Sequence, residues 1–535
     1  MPVQPERRRL LRLAAVSAAA TLAPAAAFAA PSPSPTTSHA RVRGGRVAGT
    51  REGGVHVFRG LRYGADTGAQ RFLPPRREAA WRGVHEATAF AASAPQRGEG
   101  GPGSEDCLFL NVWTPALRDG GRRPVLVYIH GGGFSTGSGS DPLYDGTRLC
   151  LRGDVVVVTL NHRLNAFGYL YLKDLLGPGY AASGNAGQLD LVQALHWVRE
   201  HAVEFGGDPD NVTVFGQSGG GAKIATLMAM PSAQGLFHRA WTMSGQQVTA
   251  AGPRAADGRA RLLLDALGIA HDRARALATL PQEVLLQATA TRDPSRVEDT
   301  ALYLGPVMDD AALPRHPFWP DAPAQSASIP MVIGNTRDET RAFLGGDPGN
   351  FSLDWAALPA KLRTQQFVDL DPESVVAGYR RLYPHYTPSE IFFAATTAGR
   401  SWRGAIEELQ VRARDGRGNT WAYQLDWHPP GAEGERLRAF HTLDIPLVFD
   451  NIGQQGSRTG TTPAAQRVAG AMAGALLAFA RTGDPRAGVT ADWSPYSLDR
   501  RETMVFAGSA RMEDDPRGGE RRIFERVPFV QRGTF

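Results

Sequence analysis

Short apolar runs, rich in β-branched residues and bounded by glycine, proline or charged residues, recur along the chain. Residues 124–129 and 154–160 are two such runs, and residues 211–215, 330–334 and 421–425 are three more. Continuous apolar runs of this length are typical of strands buried on both faces of a sheet. They predict five central strands.

A helical pattern separates the second of these runs from the third. Within residues 189–205 the apolar positions recur at helical spacing, and the glycines and proline of residues 206–209 predict where the helix ends. The order of strand, helix and strand predicts a parallel sheet with covering helices. Further helical segments follow, of which residues 255–280 are the clearest. The fold class expected is therefore α/β.

The amino-acid composition of the 535-residue chain changes clearly only near the N-terminus. Residues 30–40 are rich in proline, serine and threonine, which predicts a flexible spacer. We find no fixed-period repeat and no second break, so residues 41–535 are expected to form one domain. The chain is 42% hydrophobic and 21% charged, which is typical of a globular protein with a large core.

Residues 1–29 have the three parts of a secretory signal peptide: a basic stretch, an apolar stretch and the small-residue site Ala27-Phe28-Ala29. The arginines of residues 7–12 also resemble a twin-arginine export signal, so either export route is open. An uncleaved amphipathic start is the alternative. Because the apolar stretch is too short for a membrane anchor, we expect an exported protein, periplasmic or secreted.

Cleavage at this site is expected to leave Ala30 as the mature N-terminus, because signal peptidase requires small residues before the bond that it cuts. The intact mass of the exported protein measures the position. Exported protein that kept residues 1–29 would contradict the assignment.

The net charge does not indicate a nucleic-acid partner. Of the total of +5, a net +3 lies within the first twelve residues, so the remainder is close to neutral. Lysine occurs only at positions 173, 223 and 361, and no basic stripe with interleaved aromatic residues is present. We therefore expect no binding of nucleic acid.

Cysteines and metal-ligand patterns are sparse. Cys107 and Cys150 are the two cysteines, so stability must come from the core, and the sequence does not tell whether they pair. His196 and His201 are five residues apart and do not share a helical face. We expect no metal and no cofactor.

The sequence GQSGG at 216–220 follows the predicted strand 211–215 and precedes an apolar, helix-compatible segment, residues 222–230. This is the context of a nucleophile elbow, a strained turn that exposes a serine between small neighbours. A phosphate-binding loop of similar spacing would need lysine where Ala222 stands. Ser218 is therefore the candidate nucleophile.

A second glycine cluster, HGGGF at 130–134, follows the predicted strand 124–129. Residues without side chains allow backbone N–H groups to converge on a developing oxyanion. A flexible glycine turn is the alternative explanation.

Taken together, the motifs resemble the type-B carboxylesterase family, which includes cholinesterases and bacterial para-nitrobenzyl esterases. They are SEDCLFLNVWTP at 104–115, HGGGF at 130–134, NHRL at 161–164, GNAG at 184–187, FGGDP at 205–209 and FGQSGG at 215–220. The resemblance continues with GLFHRA at 235–240, GPVMD at 305–309, GDP at 483–485 and WSPY at 493–496. It implies an α/β-hydrolase fold with a large, mostly parallel sheet, helices on both faces and helical insertions over an active-site gorge.

The resemblance also implies a catalytic triad and an oxyanion hole. The pattern GNTRDE at 334–339 nominates Glu339, with Asp338 as the weaker candidate, and FHTLDIPLVF at 440–449 nominates His441 rather than His428. Without the resemblance, an Asp-Glu pair is more often a solvated helix start. The oxyanion-hole residues carried over are Gly132, Gly133 and Gly219. The activity that the resemblance implies is serine hydrolysis of a small-molecule carboxylic ester through an acyl-enzyme.

Several positions depart from the family. Gln217 and Gly219 stand where the family usually has glutamate and alanine, so one negative charge beside the histidine is lost. The family's early disulfide cannot form, because Ala94 replaces the cysteine that would pair with Cys107. The loop of residues 98–103 carries no tryptophan, which disfavours choline esters. Thr442 replaces a glycine and is expected to narrow the gorge.

Two other functions remain open at this level. A non-catalytic binding or adhesion protein can share the fold, although here all three triad positions are filled. A hydrolase specialised for amides, lipids or a particular toxin ester would use the same chemistry.

Overall fold

The structure is a computed structural model that describes residues 37–98, 103–294 and 300–531. The predicted signal peptide, residues 1–29, lies outside this part of the chain, as do residues 99–102 of the glycine-rich loop. The predicted spacer is too long at its C-terminal end, since the first strand already begins at Ser38. The Ser38 hydroxyl donates to the carbonyl of Thr50 at 3.0 Å, so a polar residue here belongs to the sheet.

The described residues contain one sheet of thirteen strands. These are β1 (Ser38–Val42), β2 (Gly45–Glu52), β3 (Val55–Arg62), β4 (Val84–Glu86), β5 (Phe109–Thr114), β6 (Arg123–Ile129), β7 (Val156–Leu160), β8 (Gly207–Gln217), β9 (Arg239–Met243), β10 (Met331–Thr336), β11 (Thr420–Leu425), β12 (Glu502–Phe506) and β13 (Ala510–Asp514). The central order is β7-β6-β8-β9-β10-β11-β12, in which all neighbours are parallel. Antiparallel strands flank this centre on both sides.

The same part of the chain contains sixteen α-helices. They are α1 (Thr147–Gly153), α2 (Asn165–Tyr169), α3 (Lys173–Leu176), α4 (Ala186–His201), α5 (Gly219–Leu227), α6 (Pro253–Ala266), α7 (Gln282–Ala288), α8 (Thr340–Leu344), α9 (Leu358–Gln365), α10 (Pro372–Leu382), α11 (Pro388–Thr397), α12 (Arg403–Arg414), α13 (Ala432–Leu437), α14 (Asp444–Val448), α15 (Pro463–Thr482) and α16 (Gly518–Phe524). None of the helices in the described ranges is long and apolar enough to cross a membrane.

Alternate residues of the central strands pack into two separate cores. In β6, Val125 and Val127 belong to one core that includes residues of α4, α5 and α12, whereas Leu126 and Tyr128 belong to a second core that includes residues of α14 and α15. Both faces are therefore covered, which explains why these strands read as continuous apolar runs. The predicted fold, a large mostly parallel sheet between helices, is confirmed.

The two cysteines belong to opposite faces of the sheet. Cys107 lies in the core beside α4, Cys150 lies in the core beside α15, and both are free and buried. Burial raises the pKa of both thiols. Their location explains why no disulfide joins them.

The predicted insertion of residues 255–280 is helical, but it is not one helix. Helix α6 ends near Gly268, whose φ of +66° breaks the helical path, and a 3₁₀-helix, His271–Thr279, follows. Its apolar residues pack in one cluster with Leu302, Leu304 and Phe134, the last residue of the second glycine motif. The insertion therefore supports the loop on which the candidate oxyanion hole lies.

Candidate functional site

Ser218 lies in the turn between β8 and α5, where the sequence predicts a nucleophile elbow. Its backbone has φ 55° and ψ −125°, a region that residues with a side chain rarely adopt. The Ser218 N–H donates to the carbonyl of Met243 at 2.7 Å, which ties the turn to strand β9. Ser218 lines a cavity at this turn.

Glycine neighbours are required for this turn to fit. A Cβ atom at Gly216 would lie 2.7 Å from the carbonyl oxygen of Ile129, and one at Gly220 would lie 1.9 Å from the same atom. A Cβ atom at Gly245 would lie 1.8 Å from the carbonyl oxygen of Ser218. The elbow can approach its neighbouring segments only because these positions lack side chains.

Glu339 and His441 meet below the cavity. Glu339 follows strand β10, is fully buried, and hydrogen-bonds through Oε2 to Nδ1 of His441. Its Oε1 accepts the N–H of Thr336 at 2.9 Å. Burial alone would raise the pKa of Glu339, but the charge and hydrogen bond of His441, with the donors Ser244 and Thr336, hold it below its ordinary value. The carboxylate is therefore ionised, and Nδ1 of His441 carries the proton that it accepts.

The weaker candidates lie elsewhere. Asp338 faces Arg341, with an Oδ1 to Nε distance of 3.4 Å, and makes no contact with the histidine in the described residues. His428 is engaged through Nδ1 with the carbonyl of Pro429 at 3.1 Å. The structure thus brings together Ser218, Glu339 and His441 and separates Asp338 and His428 from them.

Gln217 lies against the other side of the histidine. Its Nε2 is 3.0 Å from Nε2 and 3.5 Å from Nδ1 of His441, and such similar distances place the amide over the ring. The Nε2 lone pair, which points outward in the ring plane, is left available. In the part of the chain described, we find no hydrogen bond between His441 and the Ser218 hydroxyl. Catalytic hydrogen bonds are commonly loose before substrate binds.

Two of the three residues predicted for the oxyanion hole lie at the cavity that Ser218 lines, and the third, Gly132, precedes one of them in the same loop. Gly132 and Gly133 have φ of 82° and 61°, and Gly219 is the first residue of α5, where backbone N–H groups have no partner within the helix. Among the described residues, none of these three N–H groups donates a hydrogen bond. Gly133 and Gly219 both line the cavity. The arrangement offers free donors at the N-terminal end of a helix, where negative charge is stabilised.

The cavity above these residues has a volume of about 400 Å³. Four phenylalanines, Phe134, Phe343, Phe367 and Phe529, contribute to its wall. Among the described residues, Arg400 is the one arginine or lysine in this wall, and no Asp or Glu side chain lines it. A volume of this size accommodates a small organic substrate.

Thr442 does not narrow this cavity. It is absent from the described lining, and it has φ of 80°, a conformation that favours glycine. The expectation that Thr442 narrows the gorge was therefore wrong for this cavity. The departure from glycine adds local backbone strain rather than bulk.

Several wall residues were not found by sequence reasoning. Phe529, Val530 and Gln531 come from the last described segment, and the Gln531 Oε1 accepts the N–H of Val248 at 2.6 Å. Arg400 lies in a π-helix, Ala398–Trp402, between α11 and α12. No motif marks either segment. A π-helical turn often occurs at a functional site, but this turn is not readable from residue types.

Comparison with protein families and with known proteins gives consistent matches. A family model described as the carboxylesterase family matches residues 31–522. The para-nitrobenzyl esterase of Bacillus subtilis is 36% identical over 498 residues, which cover 89% of this chain and 96% of that protein. The phenmedipham hydrolase of Pseudarthrobacter oxydans is 34% identical and covers 87% of this chain and 94% of its own length.

Solved structures agree with these matches. A crystal structure of a carboxylesterase from Geobacillus stearothermophilus superposes with a TM-score of 0.80 and 38% identity, covering 91% of this chain and 99% of that one. A structure of a PNB esterase gives a TM-score of 0.76 at 35% identity and covers 91% of this chain and 100% of its own. The likeness extends over sequence, sheet and helices alike.

Proposed function

The chain belongs to the carboxylesterase family and is a serine carboxylic-ester hydrolase, and from this premise we propose that Ser218, His441 and Glu339 are its catalytic triad. The observation that carries the proposal is the buried hydrogen bond between Glu339 and His441 beneath a cavity that Ser218 also lines. The order of serine, acid and histidine along the chain is the one that α/β-hydrolases use.

The first half of the reaction forms an acyl-enzyme. The Ser218 Oγ attacks the ester carbonyl carbon while its proton passes to Nε2 of His441, because a serine hydroxyl is a weak nucleophile unless a base takes its proton. Glu339 stays ionised and stabilises the imidazolium through Nδ1. The carbonyl oxygen becomes an oxyanion, which accepts hydrogen bonds from the N–H groups of Gly132, Gly133 and Gly219.

The tetrahedral intermediate then collapses. The bond to the alcohol oxygen breaks, and His441 gives its proton to that oxygen so that the alcohol leaves. A water molecule repeats the sequence on the acyl-enzyme: its proton passes to His441, its oxygen attacks the acyl carbon, and the proton returns to Ser218 as the acid departs. All groups return to their initial protonation states.

The cavity favours neutral esters with a small aromatic part. Its phenylalanine-rich wall offers apolar surface and edge-to-face contacts. Gln217 presents a neutral amide where the family usually has a carboxylate, and the described wall carries no acid that would attract a choline group. The para-nitrobenzyl esterase and the phenmedipham hydrolase, two relatives named above, support the choice of aromatic test substrates.

The test is hydrolysis of para-nitrophenyl esters of increasing acyl length by the purified protein, with and without EDTA. We expect turnover that is greatest for short acyl chains and is unaffected by EDTA, since no group of three or more metal-ligating side chains occurs in the described residues. An organophosphonate is expected to label Ser218, as peptide mapping would show. A folded protein that neither turns over any ester nor reacts with the phosphonate would support a binding function instead.

We also propose that the protein acts outside the cytoplasm, after export directed by residues 1–29. The basic, apolar and small-residue parts of that segment support this location. The measurement of the mature N-terminus at Ala30 tests it independently of the esterase assay.

A further inference from the structure

Behind the candidate oxyanion hole lies a fully buried lysine that the esterase mechanism does not use. Lys223 is on α5, five positions after the nucleophile, and its side chain is 0% exposed. Its Nζ donates to the carbonyl oxygen of His130 at 3.1 Å and lies 5.6 Å from the ring centroid of Phe134. These two residues are the first and the last of the glycine motif at 130–134. Lys223 thus contacts both ends of the oxyanion loop, which we define as residues 130–134.

Two buried imidazoles complete the surroundings of the ammonium group. The rings of His130 and His162 stack with centroids 4.8 Å apart and an interplanar angle of 10°. Nδ1 of His130 hydrogen-bonds to the carbonyl of Gly131, and Nδ1 of His162 to that of Arg163, both at 2.9 Å. Each Nδ1 therefore carries a proton, so the Nε2 atoms hold lone pairs, and both are buried without a partner in the described residues.

No carboxylate offsets the charge of Lys223 in the described part of the chain. Burial lowers the pKa of Lys223 to about 7. Burial and the nearby Lys223 lower the pKa of His130 to about 3, and they also lower the pKa of His162. Asp190 is already paired with Arg163, the residue after His162, with a distance of 2.6 Å between Nη2 of Arg163 and Oδ1 of Asp190. Both imidazoles are therefore neutral, and the group that Nζ of Lys223 contacts directly is the carbonyl oxygen of His130, at 3.1 Å.

A buried ammonium without a carboxylate partner is costly, and an apolar side chain of similar size would be accommodated on α5 at lower cost. Because Lys223 is expected to lower the stability of the fold at this position, we infer that it has a role in the function. Its position explains which role: it joins the helix that carries Ser218 to the loop that carries Gly132 and Gly133.

We propose that Lys223 is a positioning residue for ester hydrolysis, which holds the oxyanion loop against α5 through its hydrogen bond to the carbonyl of His130 and its contact with Phe134. The inference rests on the proposed function, because it requires that these N–H groups bind the oxyanion. It goes beyond that function in assigning a role to a residue that never touches the substrate.

The test is Lys223→Met, which removes the ammonium group and its hydrogen bond but keeps an unbranched side chain that is only one heavy atom shorter. We expect kcat for a para-nitrophenyl ester to fall roughly 10-fold, with KM changed less than about twofold, because a displaced loop weakens transition-state contacts only. Affinity for a trifluoromethyl ketone, which mimics the tetrahedral intermediate, is expected to fall by the same factor as kcat/KM. The melting temperature is expected to stay equal or to rise.

Thr226→Val is the matched control. Thr226 is also buried on α5, and its hydroxyl donates only to the carbonyl of Ala222, at 2.9 Å. We expect its kcat to stay within about twofold of wild type, because it does not contact the oxyanion loop. Lys223→Gln, which keeps a donor without a charge, is expected to give an intermediate kcat.

The outcomes separate this inference from the proposed function. Unchanged kcat and ketone affinity in Lys223→Met, in a wild type that hydrolyses esters, would overturn the role of Lys223 and leave the triad intact. A loss of kcat that only followed a lowered melting temperature would show a structural role and overturn it as well. Absence of ester hydrolysis in the wild type would instead contradict the proposed function itself.

Discussion

Ser218→Ala and His441→Ala are each expected to lower kcat by roughly 10³-fold or more, and the double variant is expected to lose little beyond either single one. The non-additivity follows because the two side chains act as a unit: the hydroxyl is useless without a base, and the base is useless without a hydroxyl. Steady-state kinetics with a para-nitrophenyl ester measure all three variants. Glu339→Gln is expected to lower kcat less than the other two substitutions, because Ser218 and Nε2 of His441 remain in place.

His428→Ala is the control for the histidine, and Asp338→Asn is the control for the acid. Both residues lie close in sequence to the proposed ones, but their side chains face Pro429 and Arg341 instead of the cavity. Each control is expected to keep kcat within about twofold. If Ser218→Ala kept near-normal hydrolysis while folded by circular dichroism, the nucleophile would be wrong. If His428→Ala abolished phosphonate labelling and His441→Ala did not, the base would have to be reassigned.

The central strands were predictable because their environment is uniform. A strand covered by helices on both faces needs apolar residues at every position, and β7, Val156–Leu160, shows this in full: all five residues are buried. The elbow was predictable for a different reason. Its geometry depends on glycines within a few residues of Ser218, so that the constraint is visible in one short segment.

The pairing of Glu339 with His441 joins positions 102 residues apart. No local sequence pattern indicates such a contact, and only the resemblance to a family connected the two motifs. The part of the cavity wall that the C-terminal segment forms could not be predicted from the sequence. Gln531 holds the loop at Val248 across a separation of 283 residues, and no motif identifies either segment.

Two expectations failed because backbone conformation was not readable from residue type. The spacer was given too many residues, since serine and histidine in β1 look like linker residues although they alternate between buried and exposed in a strand. Thr442 was expected to narrow the gorge, but it has a left-handed backbone and is absent from the described cavity lining. In both cases a polar residue had a structural role that its composition class does not indicate.

Gly219→Ala is expected to lower kcat by about 10- to 100-fold, although alanine is the residue that the family usually has at this position. A Cβ atom on Gly219 would lie 2.1 Å from the carbonyl oxygen and 2.5 Å from the Cα of Gly133. Both are backbone atoms, so the clash cannot be relieved by a side-chain rotation. The oxyanion loop must move, and the Gly133 N–H moves with it.

Gly133 is exposed and has free space around it, which determines how the protein responds to Gly219→Ala. A Cβ atom on Gly133 would meet nothing within 4 Å, so the loop has room to shift and the fold is expected to survive with a nearly unchanged melting temperature. Gly474→Ala is the matched control, because Gly474 lies in helix α15 and a Cβ atom there also meets nothing within 4 Å. Its kcat is expected to equal that of the wild type. Kinetics on both variants measure the difference, with KM for Gly219→Ala changed much less than kcat because the ground-state ester does not yet need the displaced N–H group. Full activity of Gly219→Ala would mean that Gly133 does not have to lie this close to α5, and the donor assigned to it would have to be sought elsewhere.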